Sequence, residues 1–457
     1  MFDLTGFFNP ESVAVIGASE KPGKLSGIIL QNLLKACYKG NLYPINPSYK
    51  EIFGLKCFPS ITEIPERVSL AIIVIPAPKV PKVLQECGEK RIGSVIIVSS
   101  GFRETGKDGA QLEKEIKDIG KKYGIRIIGP NCMGIYDPNS CIDTFFIPPE
   151  RMGRPCSGEV AILSQSGSFA VTFLDILAYE GVGVSKIVNY GNSVDIGESE
   201  LLRYLADDEK TKVVALYIES VDDGRGFVEA SSYCSKRKAV VAFKAGKREA
   251  GIAAARSHTG AMAGKYEIYK AAFRKAGIVE AETYGELLDA CKIFSFQKPA
   301  KGNRVLIVTD GGGIGVAIAD LCGDYDLDVV GLSSDIKDRI KKKLPPFYSL
   351  NNPIDLTGSA TDDEYGLVIK EALKGDHYDL AIVTALWGPP ALSDRLIDVI
   401  AEAAEVTGKP IIICSIGGKF TMSRKGLFEK KGLPVFPSPE RSVKAASLLV
   451  KRGMIKT

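Results

Sequence analysis

Short apolar runs alternate with helix-period segments through the first third of the chain. The runs lie at 12–16, 42–45, 70–75, 94–98 and 126–128, and the segments 25–38, 79–90 and 109–123 separate them. Strand-length runs joined by helices predict a parallel sheet with crossover connections. Ligands of such sheets sit outside the carboxyl ends of the strands. The first end is Gly17-Ala-Ser-Glu-Lys-Pro-Gly23, a glycine-bearing turn into a helix, where phosphate groups bind in these folds. The ends at Asn46-Pro47, Ile75-Pro76, Ser99-Ser100 and Gly129 to Gly134 are also small or polar. Each alone is ordinary turn chemistry. Together they predict a lined crevice.

The pattern then repeats. Residues 160–169 and 305–314 each read as strand, tight small-residue turn and helix start, and 191–197 is matched by 351–358. Strands at 213–218 and 380–385 follow, then 238–243 and 409–414 with their glycine-lysine turns. Four correspondences in one order predict a duplicated sheet, with 295–303 as the linker. The competing explanation is that unrelated sheets share strand–Gly–helix units. The copies differ where chemistry belongs: the first has Glu219 at a strand end and His258 farther on, whereas the second sets Trp387 opposite Glu219 and nothing opposite His258.

Composition narrows the class. The 457 residues are 45% hydrophobic and 25% charged with a net charge of +4, which fits a globular chain of about three domains and disfavours nucleic acid as the main partner. Ten scattered cysteines with no zinc spacing predict reduced thiols in a cytoplasmic protein and no metal site. No export signal or membrane-length apolar run stands out. The first turn is not G-x-G-x-x-G, and Asn46-Pro47 replaces the acidic residue expected after the second strand of a nicotinamide dehydrogenase, so that class is disfavoured.

The segment 251–264 is mostly Gly and Ala and holds His258, one of two histidines. So little side chain predicts a segment able to detach and move, and imidazole is the neutral nucleophile available near pH 7. Ser257-His258-Thr259 also fits a polar cap before a helix over 266–276, and both readings stay open on these residues alone. His377 reads as a surface residue in a turn. Helix starts at Ser164, Ser166, Gly167 and Ser168, and at Gly312 and Gly313 in the second copy, offer free N–H groups suited to a phosphoryl group; tight turns would need the same residues.

Gly17-Ala-Ser19, Asn46-Pro47, Ile75-Pro-Ala-Pro78, Gly129-Pro-Asn-Cys-Met-Gly134, Ser164-Gln-Ser-Gly-Ser168 and Ser257-His-Thr-Gly-Ala261 occur in the order of a known family. Across essentially the whole chain the sequence resembles the acid–thiol ligases that include succinyl-CoA synthetase, most closely the alpha subunits of ADP-forming acetyl-CoA synthetases.

The resemblance implies an α/β chain with a Rossmann-like CoA-binding domain (1–128) and two flavodoxin-like ligase domains (129–297 and 298–457). It implies coenzyme A as substrate, held by Gly17, Ser19, Lys24, Asn46, Pro47, Lys50, Ile75, Pro76, Ser99, Ser100 and Asn131. Lys24 and Lys50 would equally be solvated surface lysines. It further implies a phosphorylated His258 steadied by Glu219, whose bland alternative is a solvated strand-end carboxylate. Asn192 and Asp195 are candidates for the acyl side, with Asp195 also a candidate helix cap. Nothing in the chain looks like an ATP-grasp module. A separate beta subunit is therefore expected to bind ADP or ATP with Mg²⁺ in an α2β2 heterotetramer. The competing function is a CoA-binding regulatory sensor, which needs neither His258 nor Glu219.

Overall fold

Ser12–Ile16 is buried along its whole length, as a strand must be when helices cover both faces of its sheet. Its neighbours are Asn41–Ile45 on one side and Leu70–Ile73 on the other, followed by Ser94–Ile97 and Arg126–Ile128, all parallel. The chain leaves Ser12–Ile16 through helix Leu25–Lys35 to one side and continues from Leu70–Ile73 to the other. A ligand crevice opens where such connections diverge.

The computed structural model describes residues 4–252 and 265–455. They fall into two units, one ending at Glu282 and the other starting at Thr283. In the first unit a second sheet has the parallel order Val184–Asn189, Ser157–Ser164, Val213–Ile218, Ala239–Lys244, Val279–Ala281. The antiparallel pair Gly134–Asp137 and Ile142–Asp143 extends it at the Val184–Asn189 edge. One cluster of buried side chains runs from Val13, Val15 and Ile72 of the first sheet to Leu163, Val188 and Val214 of the second. Burying apolar surface jointly fixes the two sheets against each other.

The second unit has its own core and a sheet ordered Ile354–Asp355, Val305–Thr309, Leu380–Thr384, Ile411–Cys414, Val435–Phe436 in parallel, with Ser349–Leu350 antiparallel at one edge. Helices Tyr284–Phe296 and Pro439–Met454 pack together beside it, and Arg441 Nη2 meets Asp289 Oδ1 at 2.6 Å. All three sheets thus place their five parallel strands in the order second, first, third, fourth, fifth.

The duplication extends to individual hydrogen bonds. Ser164 Oγ donates to the Ser166 carbonyl at 2.8 Å and accepts the Ser166 N–H at 3.1 Å. Thr309 Oγ1 does the same with Gly311, at 2.9 and 3.0 Å. Ser164 pairs with Tyr217, and the register Val308↔Val383 carries on to Thr309 and Thr384. Glu219, two residues past Tyr217, therefore corresponds to Leu386 and not to Trp387, because the backbone register of the paired strands sets the match.

Among the described residues, no helix is long and apolar enough to cross a membrane, and no group of three or more His, Cys, Asp or Glu could hold a metal ion.

Candidate active site

The Gly17 turn shapes one end of a cleft of about 1050 Å³ in the first unit. Gly17 has φ +88°, and a Cβ there would stand 2.5 Å from the Val74 carbonyl, so only glycine brings the first and third strand ends this close. Ser26 Oγ donates to the Gly17 carbonyl at 2.7 Å and ties the turn to the following helix. Asn46 Nδ2 donates to Ala18 O at 2.7 Å, and its Oδ1 accepts the Ser48 N–H at 2.9 Å. Ser99 Oγ donates to Ile75 O at 2.5 Å and accepts the Ile75 N–H at 3.1 Å.

All the residues expected to hold CoA line this cleft except Pro47 and Lys50. Those two side chains are exposed beyond its rim; the Lys50 carbonyl accepts the Cys57 N–H at 2.9 Å. Lys21 and Tyr49 line the cleft without having been singled out from the sequence. Lys21 and Lys24 are exposed cations at its mouth, where phosphate groups of a ligand would find opposite charge.

The cleft continues to the turn before helix Gly167–Glu180. Gln165, Ser166, Gly167, Ser168 and Asn189 line this end. Ser166 caps the helix by accepting the Phe169 N–H at 3.3 Å, and its hydroxyl lies 3.1 Å from that of Ser168. The helix N-terminus adds unpaired N–H groups and the positive end of the backbone dipole, which favour an anion. Ser164 is fully buried behind the turn and lines nothing; its hydroxyl serves the turn itself. Asn189 Nδ2 donates to Ser164 O at 2.9 Å while its Oδ1 accepts the Met133 N–H at 2.6 Å, joining the turn to the Gly129–Gly134 run. A polar residue ending a buried strand is the signal that would have drawn attention to Asn189.

Asn131, at φ 57°, donates its N–H to Ser99 O at 2.9 Å. Its Nδ2 donates to Asn192 Oδ1 at 3.4 Å, and Asn192 Nδ2 donates to Glu104 Oε2 at 2.7 Å and Glu113 Oε2 at 2.8 Å. Asn192 is buried and does not line the cleft. Asp195 does not line it either, nor does its side chain cap a helix: its Oδ2 accepts from Arg126 Nε and from the Ile127 N–H, each at 2.9 Å. Both residues expected on the acyl side are instead committed to brackets between the first sheet and the second.

Glu219 follows strand Val213–Ile218 and is 6% exposed, so it is no solvated sheet-edge group. Gln165 Oε1 accepts the Glu219 N–H at 2.5 Å. Lys244 Nζ donates to the Glu219 carbonyl at 2.8 Å. Burial, then the Glu219 charge and hydrogen bond, push the Tyr217 hydroxyl up to about 12. His258 lies outside the described residues. Gly312 and Gly313 open helix Gly312–Asp324 in the second unit. His377 is half-buried there, with Nε2 2.7 Å from the Gly331 carbonyl.

Three stretches match known domain families: residues 11–138 the CoA binding domain, 157–294 the succinyl-CoA ligase-like flavodoxin domain, and 305–446 the Ligase-CoA domain. The chain is 37% identical over 456 residues to the alpha subunit of acetate–CoA ligase [ADP-forming] I of Pyrococcus furiosus, covering 98% of this chain and 97% of that one. It is 40% identical over 462 residues to acetate–CoA ligase [ADP-forming] of Methanocaldococcus jannaschii, covering 100% of this chain but spanning only 64% of that longer protein. Among solved structures it is similar to acetyl-coenzyme A synthetase 1 of Ca. Korarchaeum cryptofilum in complex with phosphate and ADP, with TM-score 0.91, 34% identity and coverage of 99% and 97% of the two chains.

Proposed function

The chain belongs to the family of ADP-forming acetate–CoA ligase alpha subunits, and from that membership we propose that it binds CoA and carries phosphate in a reaction interconverting acyl-CoA, ADP and phosphate with carboxylic acid, CoA and ATP. The observation that carries this reading is the continuity of one cleft, from the Gly17 turn and its lysines to the Ser166 helix N-terminus. A thioester held along the first part would present its carbonyl carbon to phosphate held at the second. Such convergence on an anion is what phosphoryl transfer requires.

In this reading phosphate attacks the thioester carbonyl and the CoA thiol leaves with a proton, giving an acyl phosphate. A neutral imidazole nitrogen of His258 then attacks the phosphorus, and the carboxylate leaves. Ser166, Gly167 and Ser168 supply donors to the phosphoryl oxygens. Glu219 holds the other imidazole nitrogen and steadies the positive ring. A separate ATP-grasp beta subunit, in an α2β2 assembly, would hold ADP with Mg²⁺, which would supply the acceptor for the phosphoryl group. Asn192 and Asp195 act as positioning groups, Asn192 through its bond to Asn131.

The test is intact and peptide mass spectrometry after incubation with acetyl-CoA and phosphate, under non-acidic conditions that preserve phosphohistidine. One phosphoryl group on His258, absent in His258→Ala and much reduced in Glu219→Gln, is the expected result. No phosphoryl group with or without beta subunit, while CoA still binds, would overturn the reading.

A further inference from the structure

The two related sheets close the same strand end with different chemistry. Ile218 pairs with Lys244 in the first copy, and Thr384 pairs with Cys414 in the second. With Tyr217 matched to Thr384, Lys244 corresponds to Ser415. Each side chain donates to a main-chain carbonyl of the neighbouring strand end: Lys244 Nζ to Glu219 O at 2.8 Å, Ser415 Oγ to Ala385 O at 2.8 Å. Both are buried, at 1% and 2% exposure. A neutral hydroxyl therefore suffices to close the end of this fold.

An ammonium at that place is costly, because lysine is rarely fully buried and loses several kcal/mol of hydration when it is. Its three donors must find partners. Two go to the carbonyls of Glu219 and Ala245, and the Tyr269 ring lies beneath, with its centroid 4.6 Å from Nζ. Burial lowers its pKa to about 8, with Glu219 pulling upward and Lys247 pushing further down. The copy that bears this cost is the one carrying Glu219; in the other copy the matching residue is Leu386.

We infer that Lys244 is a positioning residue for Glu219. The inference rests on the reaction proposed above. Lys244 pins the main-chain carbonyl of Glu219 while Gln165 pins its N–H, so the carboxylate projects from a main chain held on both sides. The ammonium also places a positive charge beside the carboxylate in a site poor in water, which favours its ionised form. Among the described residues, the other titratable groups around the pair include Tyr190, Tyr217, Tyr269 and Lys247.

The test compares Lys244→Met, which keeps much of the stem, and Lys244→Arg, which keeps the charge, in the full chain. Phosphate uptake from acetyl-CoA should fall about 100-fold in the Met variant and recover in large part in the Arg variant, with CoA affinity unchanged in both. Uptake at the wild-type rate in Lys244→Met would overturn the inference. The carbon-13 carboxyl signal of Glu219 gives an independent readout: its titration midpoint should move up in Lys244→Met and stay in Lys244→Arg. If the wild-type chain takes up no phosphate, the proposed reaction falls. The Glu219 titration then decides alone, and a midpoint that does not move overturns the role of Lys244.

Discussion

Gln165 ties the phosphate turn to Glu219: its Oε1 accepts the N–H groups of Glu219 at 2.5 Å and Ser220 at 2.9 Å, and its Nε2 donates to Ser220 O at 2.8 Å. The same residue, which lies between Ser164 and Ser166 in the sequence, lines the cleft. Replacing Gln165 by Ala strands two N–H groups and a carbonyl. The expected loss is about 1–3 kcal/mol in denaturant unfolding, with slower phosphate uptake. Gln165→Asp tests the two effects separately. Asp310 stands at this position in the second copy and accepts the Leu386 N–H at 3.1 Å, so the carboxylate suits the fold. It also brings negative charge to the anion site. A smaller stability loss than in Gln165→Ala, since only the Ser220 carbonyl loses its donor, with lost phosphate uptake is expected; full uptake would mean that no phosphate binds there.

Gly17→Ala addresses the other end of the cleft. The positive φ is strained for any Cβ, and this one would meet a backbone carbonyl that cannot swing aside. CoA affinity should fall at least 10-fold, on the order of 1.4 kcal/mol or more, as calorimetry would measure. Unchanged affinity would place CoA elsewhere.

The alternation of apolar runs and helices made the parallel sheets legible, and the four paired segments made the duplication legible, because both depend on local periodicity. Strand-end glycines and serines were legible for the same reason: close backbone approach demands small residues. What stayed hidden depends on partners distant in sequence. Asp195 looks available as an acyl-site residue until Arg126, 69 residues away, is seen bonded to it. Gln165 sits in the middle of a noticed motif, yet its function comes from Glu219 and Ser220 on another strand. Lys244 lies in a noticed glycine-lysine turn, but only the register against Ser415 marks its charge as dispensable for folding.

Glu198 should make stability depend on pH. Burial, with Asp222 and Asp223 adding to it, raises its carboxyl from 4.5 to about 7, against the lowering effects of its own backbone and Tyr190. Between those values the folded chain keeps a proton that the unfolded chain has released. Stability contributed by this group is therefore present below pH 4.5 and is lost as pH rises through 7. The offset corresponds to about 3 kcal/mol across the window. Glu198→Gln should remove this slope, as urea unfolding at pH 5 and pH 8 would show. Parallel pH dependences for the two proteins would refute it.

Asp195 and Arg126 provide the sharpest contrast between a bracket and a substrate contact. Arg126 Nε reaches Asp195 Oδ2 at 2.9 Å and its Nη2 reaches Glu200 Oε2 at 2.7 Å, holding the last strand of the first sheet to the loop and helix of the second. The groups are about a quarter to a third exposed, so solvent screens them. A double-mutant cycle of Asp195→Asn with Arg126→Ala should give a coupling of about 1 kcal/mol that shrinks as salt is added. The Asn variant still accepts the Ile127 N–H through its carbonyl and should fold. If Asp195 is a bracket, Asp195→Asn lowers phosphate uptake by similar factors from acetyl-CoA, isobutyryl-CoA and phenylacetyl-CoA, because a loosened cleft weakens all three alike. If it faces the acyl group, the variant reorders the three thioesters. Reordering would return Asp195 to the acyl site despite its bond to Arg126; a uniform fall, with the coupling measured, leaves it where the hydrogen bonds place it.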